Sequence, residues 1–139
     1  MSKIKVLFIC VHNSARSQMA EGFLRKYGVD KFEAFSAGFS ATEINPLTIK
    51  VMDEIGISLE NQYAKNIERY IGEHFGYVIT VCHDSEGLCP NFPGITIRED
   101  WSLEDPGRVE SSEEIKLEAF RKTRGLIEKK VKELIEREA

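Results

Sequence analysis

The sequence predicts a single α/β domain built on a four-stranded parallel sheet with helices on both faces. Short runs of β-branched and aromatic residues alternate with segments whose apolar residues recur every three or four positions, as is typical of parallel sheets. The chain has 139 residues, the length of one ordinary domain. No repeat, low-complexity segment or interdomain linker divides the sequence, so residues 1–139 are expected to form one domain.

The composition excludes several other classes of protein. Apolar residues make up 42% of the chain and charged residues 30%, a balance that excludes a disordered chain and a disulfide-rich miniprotein. No apolar run is long enough to cross a membrane and no secretory signal is recognisable, so we expect a cytoplasmic protein without membrane contact. The formal net charge is −4 without a cluster of positive charge, so no nucleic-acid partner is expected.

The first strand, the first helix and the second strand are predicted in that order from residue types. Residues 4–9 and 32–37 are short runs rich in β-branched and aromatic side chains, which favours buried strands. Between them, apolar residues recur at three- and four-residue spacing over residues 19–27, the pattern of an amphipathic helix. Gly28 ends this helix, and Gly38 ends the second strand.

The next predicted elements are a capped helix and a shorter one. Asn45 is a favourable N-cap residue and is followed by proline, which suits the first helical position, so a helix ending at Gly56 is predicted. We expect Ile49 and Met52 on the buried face of this helix. A shorter helix is predicted near residues 66–71.

Two strands and a long helix are predicted in the second half. Residues 77–81 are the clearest strand of the chain, and residues 95–97 are a short fourth strand that follows two prolines. A helix begins at Ser111 or Ser112, either of which can cap it, and runs to the end of the chain. The predicted apolar face of this helix consists of Ile115, Ala119, Phe120, Ile127, Val131 and Leu134.

Three residues with reactive side chains follow predicted strands. Cys10 comes directly after the first strand, Cys82 follows the third, and Asp105 lies in the loop after the fourth. Because the carboxyl ends of parallel strands meet at one edge of a sheet, where ligands bind, we expect these residues near one another. Cys89 brings the cysteine count to three, and an odd count argues against a structural disulfide framework. Reactive thiols, metal ligation and core filling remain open.

A candidate anion-binding loop, residues 10–17, lies between the first strand and the first helix. It consists of Cys10, Val11, His12, Asn13, Ser14, Ala15, Arg16 and Ser17. Backbone N–H groups at the start of a helix bind anions, and the planar guanidinium of Arg16 can donate to two oxygens of a tetrahedral anion. The same positive field favours the thiolate of Cys10, to which Ser17 can donate a hydrogen bond. The alternative is an inert, buried Cys10 with Arg16 on the helix surface.

The dipeptide Asp105-Pro106 is the second candidate motif. Proline restricts the preceding residue to extended conformations, so Asp105 is expected to lie outside any helix. At the same edge as Cys10, the carboxyl group of Asp105 can act as a general acid or base on an oxygen of the bound anion. Taken alone, such a dipeptide is more often a simple turn.

These motifs resemble the low-molecular-weight tyrosine phosphatase fold family over essentially the whole chain. The resemblance is carried by residues 10–17 with their continuation to residue 22, by Ser36-Ala37-Gly38 and by Asp105-Pro106. It implies a four-stranded parallel sheet with helices on both sides. Phosphatases of this fold usually carry tyrosines just after the Asp-Pro pair, whereas Gly107-Arg108-Val109 follows here, which weakens the phosphatase interpretation.

The segment from Cys82 to Pro90 resembles thioredoxin-coupled arsenate reductases of the same fold, which carry a redox pair of cysteines at this spacing. The resemblance implies that the Cys10 thiolate attacks the arsenic of arsenate. Cys82 then attacks Cys10, arsenite leaves, and a disulfide between these two cysteines results. Cys89 next attacks Cys82, and thioredoxin reduces the disulfide so formed. The implied partners are thioredoxin and arsenate, or a phosphate-like oxyanion, and no cofactor is implied.

Other interpretations stay open beside this one. Cys82 and Cys89 could pack by chance beside the third strand, or bind zinc with His83, but the spacing lacks the short paired-ligand pattern and no metal site is expected. We expect an arsenate reductase. The alternatives are a low-molecular-weight tyrosine phosphatase, with Cys10 as nucleophile and Asp105 as general acid, and a non-catalytic module that binds oxyanions.

One position departs from the pattern that the resemblance implies. Some arsenate reductases of this fold bind potassium beside the loop through residues that match Asn13, Glu21, Ser36 and an acidic residue. Lys65 stands at the acidic position in this chain. An ammonium group repels a potassium ion, so we expect no potassium here and expect Lys65 to pair with Glu21 instead.

Overall fold

The computed structural model of this chain describes residues 3–81 and 97–138. The strands in these residues are β1 (Ile4–Cys10), β2 (Phe32–Gly38), β3 (Tyr77–Thr80) and β4 (Ile97–Asp100). They form one sheet in the order β2-β1-β3-β4, and every pairing is parallel. The predicted four-stranded parallel sheet is confirmed.

The α-helices in the described residues are α1 (Arg16–Tyr27), α2 (Pro46–Asp53) and α3 (Glu113–Arg137). Short 3-10 helices lie at Ile67–Tyr70 and Pro106–Arg108. Asn45 caps α2 as predicted, its side chain accepting from the Leu47 N–H, and Ser112 caps α3 in the same way. None of these helices is long and apolar enough to cross a membrane.

The sheet is covered on both faces. Val6 and Phe8 of β1 belong to one apolar cluster, Leu7 and Ile9 to the other, and all four are fully buried, as expected for a central strand of a parallel sheet. α1, α2 and α3 contribute to the cluster on the Phe8 face, whereas the 3-10 helix Ile67–Tyr70 covers the Leu7 face. β1 is therefore held from both sides, and the residue that follows its apolar run is Cys10.

Three details of the sequence prediction are wrong. Ile115 is 54% exposed, because the buried stripe of α3 begins at Leu117, two residues and about 200° further around the helix. Ile49 is 40% exposed, because the buried face of α2 is centred on Thr48, about 100° away. The fourth strand extends to Asp100, three residues beyond the predicted end. Its pairing with β3 uses backbone groups, which the charged side chains of β4 do not disturb.

Candidate active site

The loop between β1 and α1 leads directly into the N-terminus of α1. Asn13 has a φ of 54°, in the left-handed region that asparagine adopts more readily than most residues. Ala15 precedes α1, no described side chain caps this helix, and its first turn contains no acidic residue. Within residues 3–81 and 97–138, no side chain caps the start of α1, and an uncapped helix N-terminus is an arrangement that binds anions.

The sulfur of Cys10 lies in this loop beneath two hydrogen-bond donors. Cys10 is buried, the Asn13 backbone N–H donates to Sγ over 3.0 Å, and the Ser17 hydroxyl lies 2.9 Å from Sγ. The side-chain amide of Asn13 donates to the Ser17 oxygen over 2.7 Å, which leaves the hydroxyl proton available to the sulfur. These contacts hold the Cys10 sulfur inside the loop, where a nucleophile would face a bound anion.

The guanidinium of Arg16 joins the loop to the segment that follows β4. Arg16 is only 3% exposed, which excludes the alternative that placed it on the surface of the helix. One terminal nitrogen, Nη1, donates to the Leu103 carbonyl oxygen over 2.8 Å. The other, Nη2, lies 3.7 Å from Asp105 Oδ2. The structure thus places the predicted anion-binding arginine beside the predicted acid.

Asp105 adopts the extended conformation that its proline predicts, with φ of −79° and ψ of 111°. Its Oδ1 accepts from the Gly107 N–H over 2.8 Å and caps the 3-10 helix Pro106–Arg108, while Oδ2 is the oxygen nearest to Arg16. The two interpretations of Asp105-Pro106 are therefore compatible. The turn fixes one carboxylate oxygen and directs the other towards the loop.

The remaining predicted site residues differ in burial. The buried members of the loop are Cys10, Val11, Asn13, Ala15, Arg16 and Ser17. His12 is exposed, and its Nδ1 lies 3.2 Å from the carbonyl oxygen of Ser40. Ser14 is half-buried. Cys82 and Cys89 lie outside the described residues, so the roles predicted for them stay predictions.

The supporting role of Gly38 is not apparent from the sequence. Gly38 is paired with Cys10 in the sheet register. A Cβ added to Gly38 would lie 2.8 Å from both the Asn13 nitrogen and the Val11 oxygen, so only glycine lets β2 approach the loop so closely. The Phe39 N–H donates to the Cys10 carbonyl oxygen over 3.1 Å and continues this contact. The one sequence feature that could have indicated this role is a glycine at the end of a strand that neighbours the loop.

Gln18 is the second residue whose role the sequence does not reveal. It lies in α1 with its side chain fully buried, and Nε2 donates to Asn13 Oδ1 over 2.9 Å and to the Tyr63 carbonyl oxygen over 3.0 Å. Gln62 Nε2 donates to Gln18 Oε1 over 2.8 Å. The segment around residue 63 therefore contacts Gln18, which in turn contacts Asn13 of the anion-binding loop. These contacts join residues that are far apart in sequence and stabilise the loop.

The predicted pair of Lys65 and Glu21 is confirmed. Lys65 Nζ lies 3.5 Å from Glu21 Oε1 and 3.4 Å from Ser36 Oγ, and both charged side chains are buried. Burial lowers the pKa of Lys65, and the Glu21 carboxylate opposes that shift. Because an ammonium group already stands against the oxygens of Glu21 and Ser36, these residues do not fit a potassium ion.

Comparison with known proteins gives one family over almost the entire chain. The profile of the family described as low molecular weight phosphotyrosine protein phosphatase matches residues 5–138. The arsenate reductase of Bacillus subtilis is 38% identical over 131 residues, which cover 94% of each chain.

Solved structures give the same result. A structure described as an arsenate reductase in the phosphate binding state has a TM-score of 0.81 and 37% identity, covering 96% of this chain and 98% of its own. The thioredoxin-dependent arsenate reductase of Corynebacterium glutamicum has a TM-score of 0.70 and 32% identity, covering 99% of this chain and 64% of its own.

Proposed function

This chain belongs to the low molecular weight phosphotyrosine protein phosphatase family, and we propose that it is an arsenate reductase within that family. The observation that carries the proposal is similarity over nearly the whole chain to proteins named arsenate reductase, at 38% identity for the relative from Bacillus subtilis. The loop supports the proposal, because a thiol beneath two donors at a helix N-terminus suits attack on a tetrahedral oxyanion.

The first step uses residues of the anion loop and the segment after β4. The loop N–H groups and the guanidinium of Arg16 bind the oxygens of arsenate as they would bind those of phosphate. The Cys10 thiolate attacks arsenic, so that a sulfur–arsenic bond forms and an arsenic–oxygen bond breaks. Asp105, which the Gly107 N–H orients, protonates the departing oxygen, and this oxygen leaves as water.

The electrons for the reduction come from two thiols. Cys82 attacks the sulfur of Cys10, the sulfur–arsenic bond breaks with its electron pair going to arsenic, and arsenite leaves. Cys89 then attacks Cys82, which releases the Cys10 thiolate and forms a Cys82–Cys89 disulfide. The dithiol of thioredoxin reduces this disulfide and is itself oxidised. The presence of both cysteines supports this relay, as does the solved relative whose name includes thioredoxin dependence.

This chemistry sets two further conditions. Thiols carry all the electrons, so the proposal includes no cofactor. Free thiols persist where glutathione and thioredoxin keep them reduced, so a cytoplasmic location is part of the proposal.

A phosphatase that acts on phosphotyrosine is the second candidate function. The family profile favours it, and the same loop, nucleophile and acid would serve phosphate ester hydrolysis. Against it, Gly107-Arg108-Val109 follows the Asp105-Pro106 pair, where aryl-specific relatives are expected to present aromatic rings. Weak hydrolysis of aryl phosphates is compatible with both candidates, because arsenate and phosphate have nearly the same shape.

The test measures arsenite released from arsenate by the purified chain with NADPH, thioredoxin reductase and thioredoxin. We expect continuous turnover with the complete system and no arsenite beyond the first equivalent when thioredoxin is omitted. Cys89→Ser is expected to stop turnover but to leave hydrolysis of p-nitrophenyl phosphate intact. Efficient hydrolysis without any arsenite formation would establish the phosphatase instead.

A further inference from the structure

Behind the anion-binding loop lies a buried cluster that the proposed reaction does not use, formed by the side chains of Glu21, Ser36 and Lys65 together with the backbone carbonyl oxygen of Tyr63. The side chains of Glu21 and Lys65 are 2% and 5% exposed. Lys65 Nζ donates to the Tyr63 carbonyl oxygen over 2.7 Å and lies close to the oxygens of Ser36 and Glu21. The Ser36 hydroxyl donates to the same Glu21 oxygen, and Arg25 contacts the other oxygen at 3.0 Å. The ammonium group therefore contacts three oxygen atoms, one each from Tyr63, Ser36 and Glu21, and these define an oxygen-lined cage.

The backbone of Lys65 connects this buried cluster to Cys10. The Lys65 N–H donates to Asn13 Oδ1, and the Lys65 carbonyl oxygen accepts from the Gly38 N–H, both over 2.8 Å. Asn13 in turn donates through its side-chain amide to Ser17, whose hydroxyl contacts the Cys10 sulfur. An unbroken series of hydrogen bonds thus runs from residue 65 to the nucleophile.

The energetics of the pair point to a role in positioning. The desolvation of two buried charges offsets most of their attraction, so such a pair contributes little net stability. Removing the Lys65 charge leaves the buried Glu21 carboxylate with Arg25 alone as its basic contact among the described residues, and the loss of one of two compensating charges is unfavourable. A fixed Lys65 side chain keeps the amide of the same residue in place, and that amide orients Asn13.

We propose that Lys65 is a positioning residue for Cys10, with its ammonium group acting as a built-in cation that holds Asn13 and Ser17 as donors to the sulfur. The Lys65 ammonium occupies the place where the family resemblance implies a potassium ion, so the nucleophile of this chain is independent of added potassium. The inference rests on Cys10 being the nucleophile of the proposed function.

The experiment uses a chain in which Cys82→Ser and Cys89→Ser leave Cys10 as the single thiol. Iodoacetamide alkylates Cys10 when the thiolate displaces iodide, and the rate is compared in potassium chloride and in tetramethylammonium chloride of equal ionic strength. We expect equal rates in the two salts for this parent chain. Adding Lys65→Ala is expected to slow alkylation about 10-fold in tetramethylammonium chloride, the effect of losing a hydrogen bond to a charged group. Potassium, small enough to enter the vacated cage, is expected to restore much of the rate.

Matched variants separate positioning from folding. Lys50 lies exposed on α2, and Lys50→Ala is expected to alkylate at the parent rate in both salts. Lys65→Met keeps most of the volume without the charge, so it is expected to fold, to slow alkylation, and to lower kcat for p-nitrophenyl phosphate with little change in KM. Thermal unfolding monitored for each variant shows which ones are folded.

Three results would overturn the inference: parent-like alkylation in folded Lys65→Ala and Lys65→Met, slow alkylation of Lys65→Ala that is equal in both salts, or acceleration of the parent chain by potassium. Failure of the proposed function is distinguishable from these results. If the wild-type chain forms no arsenite but Cys10 alkylation responds to Lys65 as expected, only the assignment as an arsenate reductase fails.

Discussion

Two clusters of opposite charge in this chain differ mainly in burial. In the buried cluster behind the anion loop, Glu21 and Lys65 are almost inaccessible to solvent and lie 3.5 Å apart. In a surface cluster between α2 and α3, Glu54 binds Arg121 at 2.6 Å and Arg124 at 2.8 Å, and the Glu54 side chain is 30% exposed. The exposed contacts are shorter, yet water screens them and can replace either partner.

We infer from this comparison that the burial of a charged pair, more than the distance between its atoms, decides whether the pair fixes the backbone around it. The buried pair cannot exchange its partners for water, so it fixes the backbone that orients Asn13 and through it the Cys10 sulfur. The surface cluster connects the C-terminal end of α2 to α3. Substitutions near the loop are therefore expected to change chemistry, and substitutions in the surface cluster to change only stability.

The largest expected effect comes from the nucleophile itself. Cys10→Ser is expected to abolish both arsenite formation and hydrolysis of p-nitrophenyl phosphate, because a serine hydroxyl is not ionised under the same two donors. Steady-state assays of both activities check this. The matched control is Cys82→Ser, which is expected to lose arsenite turnover and retain hydrolysis. Either activity surviving in Cys10→Ser would show that another group attacks.

Arg16→Lys is expected to have the next largest effect, although it keeps the charge. Lysine cannot contact two oxygens of an anion in one plane, and it loses the hydrogen bond from Arg16 Nη1 to the Leu103 carbonyl oxygen. We expect kcat/KM for p-nitrophenyl phosphate to fall about 10²–10³-fold. Arg137→Lys, at an exposed position near the end of α3, serves as the control and is expected to leave kcat/KM unchanged. Near-normal kinetics for Arg16→Lys would assign anion binding to the backbone alone.

A pair of glycine substitutions extends the comparison to the backbone. Gly38→Ala forces a methyl group against the anion loop and is expected to destabilise the fold by about 1–3 kcal/mol and to lower activity. A Cβ added to Gly125 in α3 meets no neighbouring atom of residues 3–81 and 97–138 within 4 Å, so Gly125→Ala is expected to stabilise the fold by about 0.5–1 kcal/mol. Urea unfolding measures both changes. Equal stabilities for the two variants would mean that β2 does not constrain the loop.

The smallest effect is expected in the surface cluster. Hydrogen bonds from Arg121 and Arg124 lower the pKa of Glu54 from its ordinary value of 4.5 to about 2. A carboxyl group with a lowered folded-state pKa contributes stability above its unfolded pKa and loses it as pH falls towards the folded value. Glu54→Gln is therefore expected to lower the unfolding temperature slightly at pH 7, and by less as pH falls from 4.5 towards 2, with hydrolysis unchanged. A difference of the same size at pH 7 and pH 2 would contradict the lowered pKa of Glu54.

Local patterns in the sequence predict the fold well because they depend on neighbouring residues. The apolar run of β3 and the Asn45 cap of α2 are both found where expected. Exposure of Ile115 shows the limit, since the face that a helix buries is decided by its partner as well as by its own pattern.

The candidate site is predictable only in part, for a related reason. The contact of Ser17 with Cys10 spans seven residues and follows from the loop motif. The contact of Gln62 with Gln18 spans 44 residues, and no local pattern indicates that a glutamine in a helix is fully buried. The pair of Lys65 and Glu21 is predicted only from the family resemblance. The resemblance matches both residues to one site of the family, which no local pattern in the sequence could do.

Arsenate added to the fully reduced chain without any external reductant tests the proposed relay most directly. The relay predicts one arsenite released per chain, the loss of two thiols, and a Cys82–Cys89 disulfide in the peptide map. In Cys89→Ser it predicts one arsenite per chain and a Cys10–Cys82 disulfide instead. Arsenite released without loss of thiols, or an unmodified Cys82 after release in either chain, would contradict the relay.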